Sequence, residues 1–301
     1  MLVIDGRDPI GSPLQCGELV PSNEEMRRLC PDVPEIDDLL RTPESAISMR
    51  TSEMRLVPPS GRPLRYDFEG VVLDRVAHDE ALVELAESSG AHYLVGSRVE
   101  SVESETVRLR DGSEYTAKVV IGAGGHNDPL RKSEWQTGSL VIPVKFVLMS
   151  GDFDEALELH FGSVAPGGYA WKFPKQGGAN IGLGIQTALA RGKSLNDYSE
   201  EFFSRYEGGV EFSGAGSLPM SGTIASFVKG NHLLVGDAAG MVLPSNGAGI
   251  TIAMIGGRIA GQVVAEHLRD GTPLGEYEIR WESQMGRVMR NSKRAFRLGS
   301  L

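Results

Sequence analysis

The stretch from Leu233 to Gly261, LLVGDAAGMVLPSNGAGITIAMIGGRIAG, constrains the fold more than any other segment of the chain. An apolar run ends at Asp237, and a glycine-rich turn then leads into a second apolar run over 247–268. A carboxylate at a strand end can accept hydrogen bonds from two hydroxyls, and a glycine-rich turn at a helix N-terminus offers N–H groups to an anion. The pattern predicts strand, turn and helix around a cofactor; close helix packing through small residues is the alternative.

Strands of the parallel type and helices are expected at both ends of the chain, with an antiparallel block between them. The expected elements are a strand at 2–4, a hairpin of strands at 46–59 and 62–73, a helix at 74–91, a strand-rich block at 140–185, and helices at 195–206, 247–268 and 275–297. In the helix that Asp74 would cap, one apolar face is predicted to comprise Val76, Leu82, Val83, Leu85 and Ala86.

This order predicts an α/β fold, in which a Rossmann-like nucleotide-binding domain carries an inserted antiparallel β-sheet substrate domain. The nucleotide-binding domain is expected to be discontinuous. Its predicted segments are 1–45, 71–139 and 229–270, the substrate domain takes 46–70 and 140–228, and 271–301 forms a C-terminal helical segment.

Composition excludes several classes of protein. The formal net charge is −10, which argues against a nucleic-acid-binding protein because phosphate contacts need a basic surface. Two cysteines, Cys16 and Cys30, and six scattered histidines form none of the usual zinc spacings, so no metal site is expected. So few cysteines fit a reducing, cytoplasmic setting. No window reaches the roughly 18 to 20 apolar residues of a membrane span, and no signal peptide is predicted.

Asp5 directly follows the first apolar run and precedes Gly6 and Arg7. In a Rossmann-type site an acid at this place binds the ribose hydroxyls, about 20 residues after a GxGxxG turn. No such turn precedes Asp5, and the other GxG segments lack the third glycine. A late start, a fragment and a true loss of the cofactor would each explain this; we expect one of the first two.

Three segments resemble FAD-dependent oxidoreductases related to aromatic hydroxylases. The 236–261 stretch is similar to their second flavin-binding motif, and VVLDRVAHDEALVELAESSGA resembles their arginine–aspartate segment, with Arg75 and Asp79. VVIGAGGHNDPLRK stands where they usually carry Gly-Ala-Asp-Gly-x-x-Ser, with Gly124 and Asp128 as departures. The resemblance implies that FAD is the cofactor. The positions implied to bind it are Asp5, Arg7, Cys16, Gly17, Arg75, Gly125, Gly236, Asp237, Gly247, Ala248, Gly249 and Ile250.

Two further segments resemble geranylgeranyl reductases of the archaeal type. PGGYAWKFPKQGGANIGLGI is similar to their Tyr-x-Trp-x-Phe-Pro signature, and GSPLQCGE to their Pro-x-x-Cys-Gly loop. The resemblance implies saturation of double bonds in isoprenoid chains of membrane lipids, with Cys16 as a catalytic residue. Residues 169, 171 and 173 alternate along one strand and therefore face one way. The implied substrate-binding residues are Tyr169, Trp171, Phe173 and Pro174.

Two alternatives remain open at this point: an FAD-dependent monooxygenase of the aromatic-hydroxylase superfamily, and an isoprenoid-binding protein without flavin. The partners are expected to be an isoprenoid lipid and an electron donor, either NAD(P)H or ferredoxin. A lipid substrate implies peripheral membrane contact by a cytoplasmic protein. The basic stretch Arg287–Arg297 is a candidate for that contact, although a solvated helix face is the plainer interpretation.

Overall fold

A computed structural model describes residues 1–135 and 140–299 of the chain. The strands are β1 (Leu2–Ile4), β2 (Leu19–Pro21), β3 (Ile47–Val57), β4 (Leu64–Leu73), β5 (His92–Leu94), β6 (Val99–Glu103), β7 (Thr106–Leu109), β8 (Glu114–Thr116), β9 (Val120–Gly122), β10 (Val141–Ser150), β11 (Leu157–His160), β12 (Tyr169–Lys175), β13 (Gly178–Gly184), β14 (Gly209–Pro219), β15 (Val228–Lys229) and β16 (His232–Leu234). The helices are α1 (Asn23–Leu29), α2 (Ile36–Leu39), α3 (Arg75–Ser88), α4 (Pro129–Glu134), α5 (Leu195–Phe203), α6 (Ile250–Asp270) and α7 (Glu276–Gly299).

The largest sheet has the strand order β14-β10-β13-β12-β11-β3-β4-β2. Its neighbours are antiparallel, as predicted, except for the parallel pair β3 and β11. These two strands are distant in the chain, so no hairpin forces them to run in opposite directions. Residues 19–21 were predicted to belong to the nucleotide-binding domain. They form β2, which extends the edge of this sheet. The division into domains remains a prediction, and its boundary residues 139 and 301 lie outside the described residues.

Parallel pairs form the second part of the fold. β1 pairs with β5, and β9 pairs with β16. The long helix α6 follows β16 after the glycine-rich turn and buries Ile252, Ile255 and Ile259. The mixed α/β architecture predicted from the element order is therefore present. The predicted nucleotide-binding residues Asp5 and Asp237 follow the ends of β1 and β16.

α7 packs along α6 through residues spaced at about one helical turn. Tyr277, Trp281, Met285 and Val288 are buried on this side, while the opposite side carries charged residues. Across 1–135 and 140–299, none of the helices combines the length and the apolar character that crossing a bilayer requires.

α3 begins after Asp74, whose carboxylate accepts hydrogen bonds from the N–H groups of Val76 and Ala77, as predicted. The five apolar residues expected on one face do not form a buried face, since Leu82 and Leu85 are 37% and 65% exposed. The buried residue of this helix is His78, since the helix packs through its first turns against the chain near Gly11 and residues 44–46.

Candidate functional site

The loop of residues 12–18, here called the cysteine loop, carries Cys16. Glu18 adopts a left-handed conformation with φ 69°, and its N–H donates to Cys16 Sγ at 3.1 Å. A Cβ at Gly17 would lie 3.2 Å from the ring of Phe173 and 3.4 Å from Trp171 Nε1. The cysteine loop therefore packs against two of the predicted substrate-binding rings, and only glycine allows so close an approach without displacing them.

Tyr169, Trp171 and Phe173 lie on one face of β12 and form what we call the aromatic wall. The ring centroids of successive members are 5.9 and 6.0 Å apart. Tyr169 and Trp171 pair across the strands with Gly184 and Gly182 of β13. A Cβ at Gly182 would overlap the Trp171 ring, so this glycine lets the indole lie flat on the neighbouring strand. Pro174 points to the opposite face of β12, and the strand does not bring it to the aromatic wall.

Arg75 joins the cysteine loop to α3. Its guanidinium contacts both carboxylate oxygens of Asp79 at 3.0 Å. Burial alone would lower the pKa of Arg75, but the Cys16 sulfur and the Asp79 carboxylate raise it above its ordinary value. The structure therefore places a persistent positive charge beside Cys16.

The turn between β16 and α6 contains a buried carboxyl beside a helix N-terminus. Burial raises the pKa of Asp237 to about 6, although Arg75 opposes the shift. A Cβ at Gly249 would lie 3.6 Å from Asp237 Oδ1, and Gly247 has φ 73°. No side chain of the described residues caps α6, so the first N–H groups of the helix are available to a ligand. The N–H of Ala248, which lies just before the helix, is already engaged, since it donates to Asn246 Oδ1 at 3.1 Å.

Other glycines of this stretch have a packing role. A Cβ at Gly240 would overlap the backbone of Gly222, and one at Gly256 would lie 2.5 Å from Met241 Sδ and 3.4 Å from the Trp281 ring. Both interpretations of this stretch therefore apply. Gly236 and Gly249 lie beside Asp237, whereas Gly240 and Gly256 allow close packing of neighbouring elements.

One hydrogen bond links the aromatic wall to the turn before α6. The Tyr169 hydroxyl donates to the carbonyl oxygen of Asn246 at 2.6 Å. Burial and the nearby Cys16 sulfur raise the pKa of Tyr169 to about 12. Cys16, Arg75, Asp237 and the aromatic wall therefore belong to one site, formed where the large sheet meets α3 and α6.

The remaining predicted cofactor residues lie around the β1 and β9 ends. Asp5 follows β1, and its carboxylate accepts from the N–H of Arg7 at 2.8 Å. Arg7 in turn donates to Gln15 Oε1 of the cysteine loop at 2.8 Å. Gly125 has φ 79° and nothing within 4 Å of a Cβ built on it, so it faces open space.

Asp128, one of the two departures in the loop after β9, has a structural role. Its carboxylate accepts from Gly124 N–H at 2.7 Å and from Arg131 N–H at 3.2 Å, so it closes the loop and caps α4. A Cβ at Gly124 would lie 2.8 Å from Asp128 Oδ2. The two departures from the expected motif are therefore matched to each other.

Sequence reasoning missed three polar residues behind the cysteine loop. Glu18 is 2% exposed and Asn180 is fully buried; Lys175 Nζ donates to Glu18 Oε1 at 2.7 Å. Two signals were available: an acid directly after Cys16-Gly17, and a lone polar residue in the run ANIGLGI. Cys30, by contrast, is buried away from this site, and burial and Asp32 raise the pKa of its thiol to about 11.

Comparisons with known proteins identify the family. A family model described as the geranylgeranyl reductase catalytic domain matches residues 140–215. Digeranylgeranylglycerophospholipid reductase 1 of Methanococcoides burtonii is 30% identical over 320 residues, which cover 97% of this chain and 76% of the relative.

Solved structures show the same fold. A geranylgeranyl bacteriochlorophyll reductase-like protein of Thermoplasma acidophilum superimposes with a TM-score of 0.87 at 25% identity, over 100% of this chain and 81% of that chain. A probable FAD-dependent monooxygenase of Pseudomonas aeruginosa has a TM-score of 0.64 at 16% identity, over 99% of this chain and 87% of that chain, and shares the fold alone. From its sequence identity over three quarters of a full-length relative, this chain belongs to the digeranylgeranylglycerophospholipid reductase family.

Proposed function

We propose that this chain is a flavin-dependent reductase that saturates carbon–carbon double bonds in geranylgeranyl chains of membrane lipids or their precursors. The observation that carries the proposal is the cysteine loop held against the aromatic wall, because both elements lie in one site with Asp237 and the start of α6.

The residues of the site fit FAD. The uncapped N-terminus of α6 leaves its first backbone N–H groups available to an anionic group, and Asp237 can accept from hydroxyls. Asp5 and Arg7 would bind the ribose end, and Gly236, Gly249 and Ile250 would border the ring. When bound and reduced, FAD supplies a hydride to the alkene.

The protein's own residues would orient the isoprenoid chain and exclude water from it. Trp171 and Phe173 are 6% and 5% exposed because they are packed beneath the cysteine loop, whereas Tyr169 is half-buried, so the aromatic wall forms an apolar boundary that keeps water from the site. Saturation of each double bond consumes one hydride and one proton. Cys16 is the proposed catalytic residue because its sulfur lies beside Arg75 and close to Tyr169.

The electron donor and membrane contact belong to the same proposal. The donor is NAD(P)H or ferredoxin. The substrate is a lipid, so the protein would act at the membrane surface, and α7 supports such a contact through the exposed Lys293, Arg294 and Arg297.

The proposal is tested by incubating the flavin-loaded protein with a digeranylgeranyl glycerophospholipid and dithionite. We expect product masses that increase by one H₂ for each saturated bond. Cys16→Ala should reduce turnover at least about a hundredfold, as is typical when a proton-transferring group is removed. Cys30→Ala is the matched control and should retain turnover, because Cys30 lies outside the site. An unreduced lipid in all samples, with flavin bound, would contradict the proposal.

A further inference from the structure

Asn180 is a fully buried polar residue whose side-chain amide makes three hydrogen bonds. Trp171 Nε1 donates to Asn180 Oδ1 at 2.9 Å. Asn180 Nδ2 donates to the Cys16 carbonyl oxygen at 2.9 Å and to Glu18 Oε2 at 3.0 Å. Both amide hydrogens and the amide oxygen are engaged, so only one orientation of the amide satisfies all partners.

The position of Asn180 in β13 makes this residue unusual. Tyr169 and Trp171 of the aromatic wall pair with glycines across the strands, whereas Phe173 pairs with Asn180. An apolar side chain could fill this place in the sheet without any hydrogen-bond requirement. A buried amide, by contrast, is tolerated only when its hydrogen bonds are made. The amide therefore serves the partners that it joins rather than the strand that carries it.

Glu18 and Lys175 hold the amide and the cysteine loop in place. Lys175 Nζ donates to Glu18 Oε1 at 2.7 Å and to the carbonyl oxygen of Leu73 at 3.0 Å. The Glu18 side chain is oriented by this ion pair, and the Glu18 N–H donates to Cys16 Sγ at 3.1 Å. The cysteine loop is thus held at its sulfur, at a backbone carbonyl and at a buried carboxylate.

We propose that Asn180 is a positioning residue, which holds the cysteine loop against the Trp171 indole and thereby sets the place of the Cys16 sulfur in the site. Glu18 and Lys175 orient its amide. The inference rests on the proposed function for its effect on catalysis, but the link between the cysteine loop and the aromatic wall can be tested without turnover.

The first test measures alkylation of Cys16 by iodoacetamide in the flavin-loaded protein with Cys30→Ala. Asn180→Asp keeps the acceptor for Trp171 but loses both donors and places a carboxylate beside Glu18. Asn180→Leu loses all three hydrogen bonds. We expect both variants to alkylate at least about tenfold faster, because each loses two or more buried hydrogen bonds that hold the loop and the loss of even one corresponds to roughly that factor.

Thr51→Val is the matched control, because Thr51 is also buried in the large sheet and its hydroxyl donates to the carbonyl oxygens of Glu53 and Glu155, neither of which belongs to the cysteine loop. It should leave the alkylation rate at the parent value. Unchanged alkylation in both Asn180 variants, or an equal increase in Thr51→Val, would overturn the proposal.

The second test measures lipid reduction by the same proteins. A positioning role predicts that kcat falls about tenfold in Asn180→Asp while KM changes little, because the lipid surface is retained and Cys16 is displaced. A rise of KM alone would contradict it. If no protein reduces the lipid but the alkylation rates still separate as expected, the proposed function fails and the link between the loop and the aromatic wall stands.

Discussion

Asp237 is the residue whose ionisation has the clearest consequence for the protein. It lies at the strand end beside the start of α6, where burial raises the pKa of its carboxyl to about 6. The unfolded chain binds this proton with a pKa near 3.9. The carboxyl therefore favours folding while it is protonated in both states, and this contribution is lost as the pH rises through about 6.

Asp237→Asn should accordingly stabilise the protein without added flavin at alkaline pH. We expect a free energy of unfolding higher by up to about 3 kcal/mol at pH 8, with most of that gain absent at pH 4, because the asparagine has no proton to lose. Urea unfolding of both proteins at the two pH values measures the difference. A gap that does not change with pH would show that the carboxyl is not strained by burial.

β12 is the element that separates the site from the charged side of the large sheet. Its aromatic wall faces the cysteine loop, and Lys172 on the other face is 3% exposed. Lys172 Nζ contacts Asp154 and lies 3.3 Å from Glu158 Oε1. Burial alone would raise the pKa of Glu158, but His160 and Lys172 lower it below its ordinary value. Alternation of side chains thus lets one strand stabilise the sheet and line the site.

Lys172→Met should destabilise the protein by about 2 kcal/mol at pH 7, because it removes the buried cation that contacts Asp154 and the partly buried Glu158, while Arg55 and His160 remain beside Glu158. The loss should shrink as the pH falls below the ordinary glutamate pKa of about 4.3 and through the lower pKa that Glu158 has in the folded protein. Lys193→Met is the control, since the Lys193–Glu201 pair is 54% and 57% exposed and water screens it, so its loss should change the free energy of unfolding little. Urea unfolding of both variants at pH 7 and at acidic pH measures the losses in the free energy of unfolding. Equal losses in the two variants would contradict the prediction.

Over the whole molecule the charge is unevenly distributed. The net charge is −10, yet the end of α7 exposes Lys293, Arg294 and Arg297 beside Leu298, which is 74% exposed. Two nearby cations are neutralised within the described residues, because Arg287 pairs with Asp32 and Arg290 with Glu282. Among the described residues of α7, the cations that make no ion pair therefore lie at its C-terminal end.

This distribution predicts binding to anionic lipid vesicles through the end of α7. The double variant Lys293→Glu and Arg294→Glu should bind phosphatidylserine vesicles at least about tenfold more weakly, since each basic residue contributes about 1 kcal/mol near such a surface. Sedimentation with vesicles measures this, and neutral phosphatidylcholine vesicles are the control. A double variant that sediments like the parent protein would show that α7 does not make the contact.

The sequence by itself determined the local elements and the chemistry that they carry. Asp74 capped α3, the turn at Pro58–Gly61 joined β3 to β4, and the glycine-rich turn preceded α6, because each depends on neighbours within a few residues. The family could also be recognised from the sequence, since its motifs are short and continuous. Their predicted roles in binding and catalysis remain predictions.

Tertiary packing determines which of these elements contact one another. Asn180 contacts Cys16 and Glu18 across more than 160 residues, which no local pattern encodes. The parallel pairing of β3 with β11 and the inward side of α3 likewise follow from packing partners far along the chain. The physical reason is that hydrogen-bond partners and burial are set by the register of distant strands, and a glycine or asparagine facing an aromatic ring acquires its role only when that register is formed.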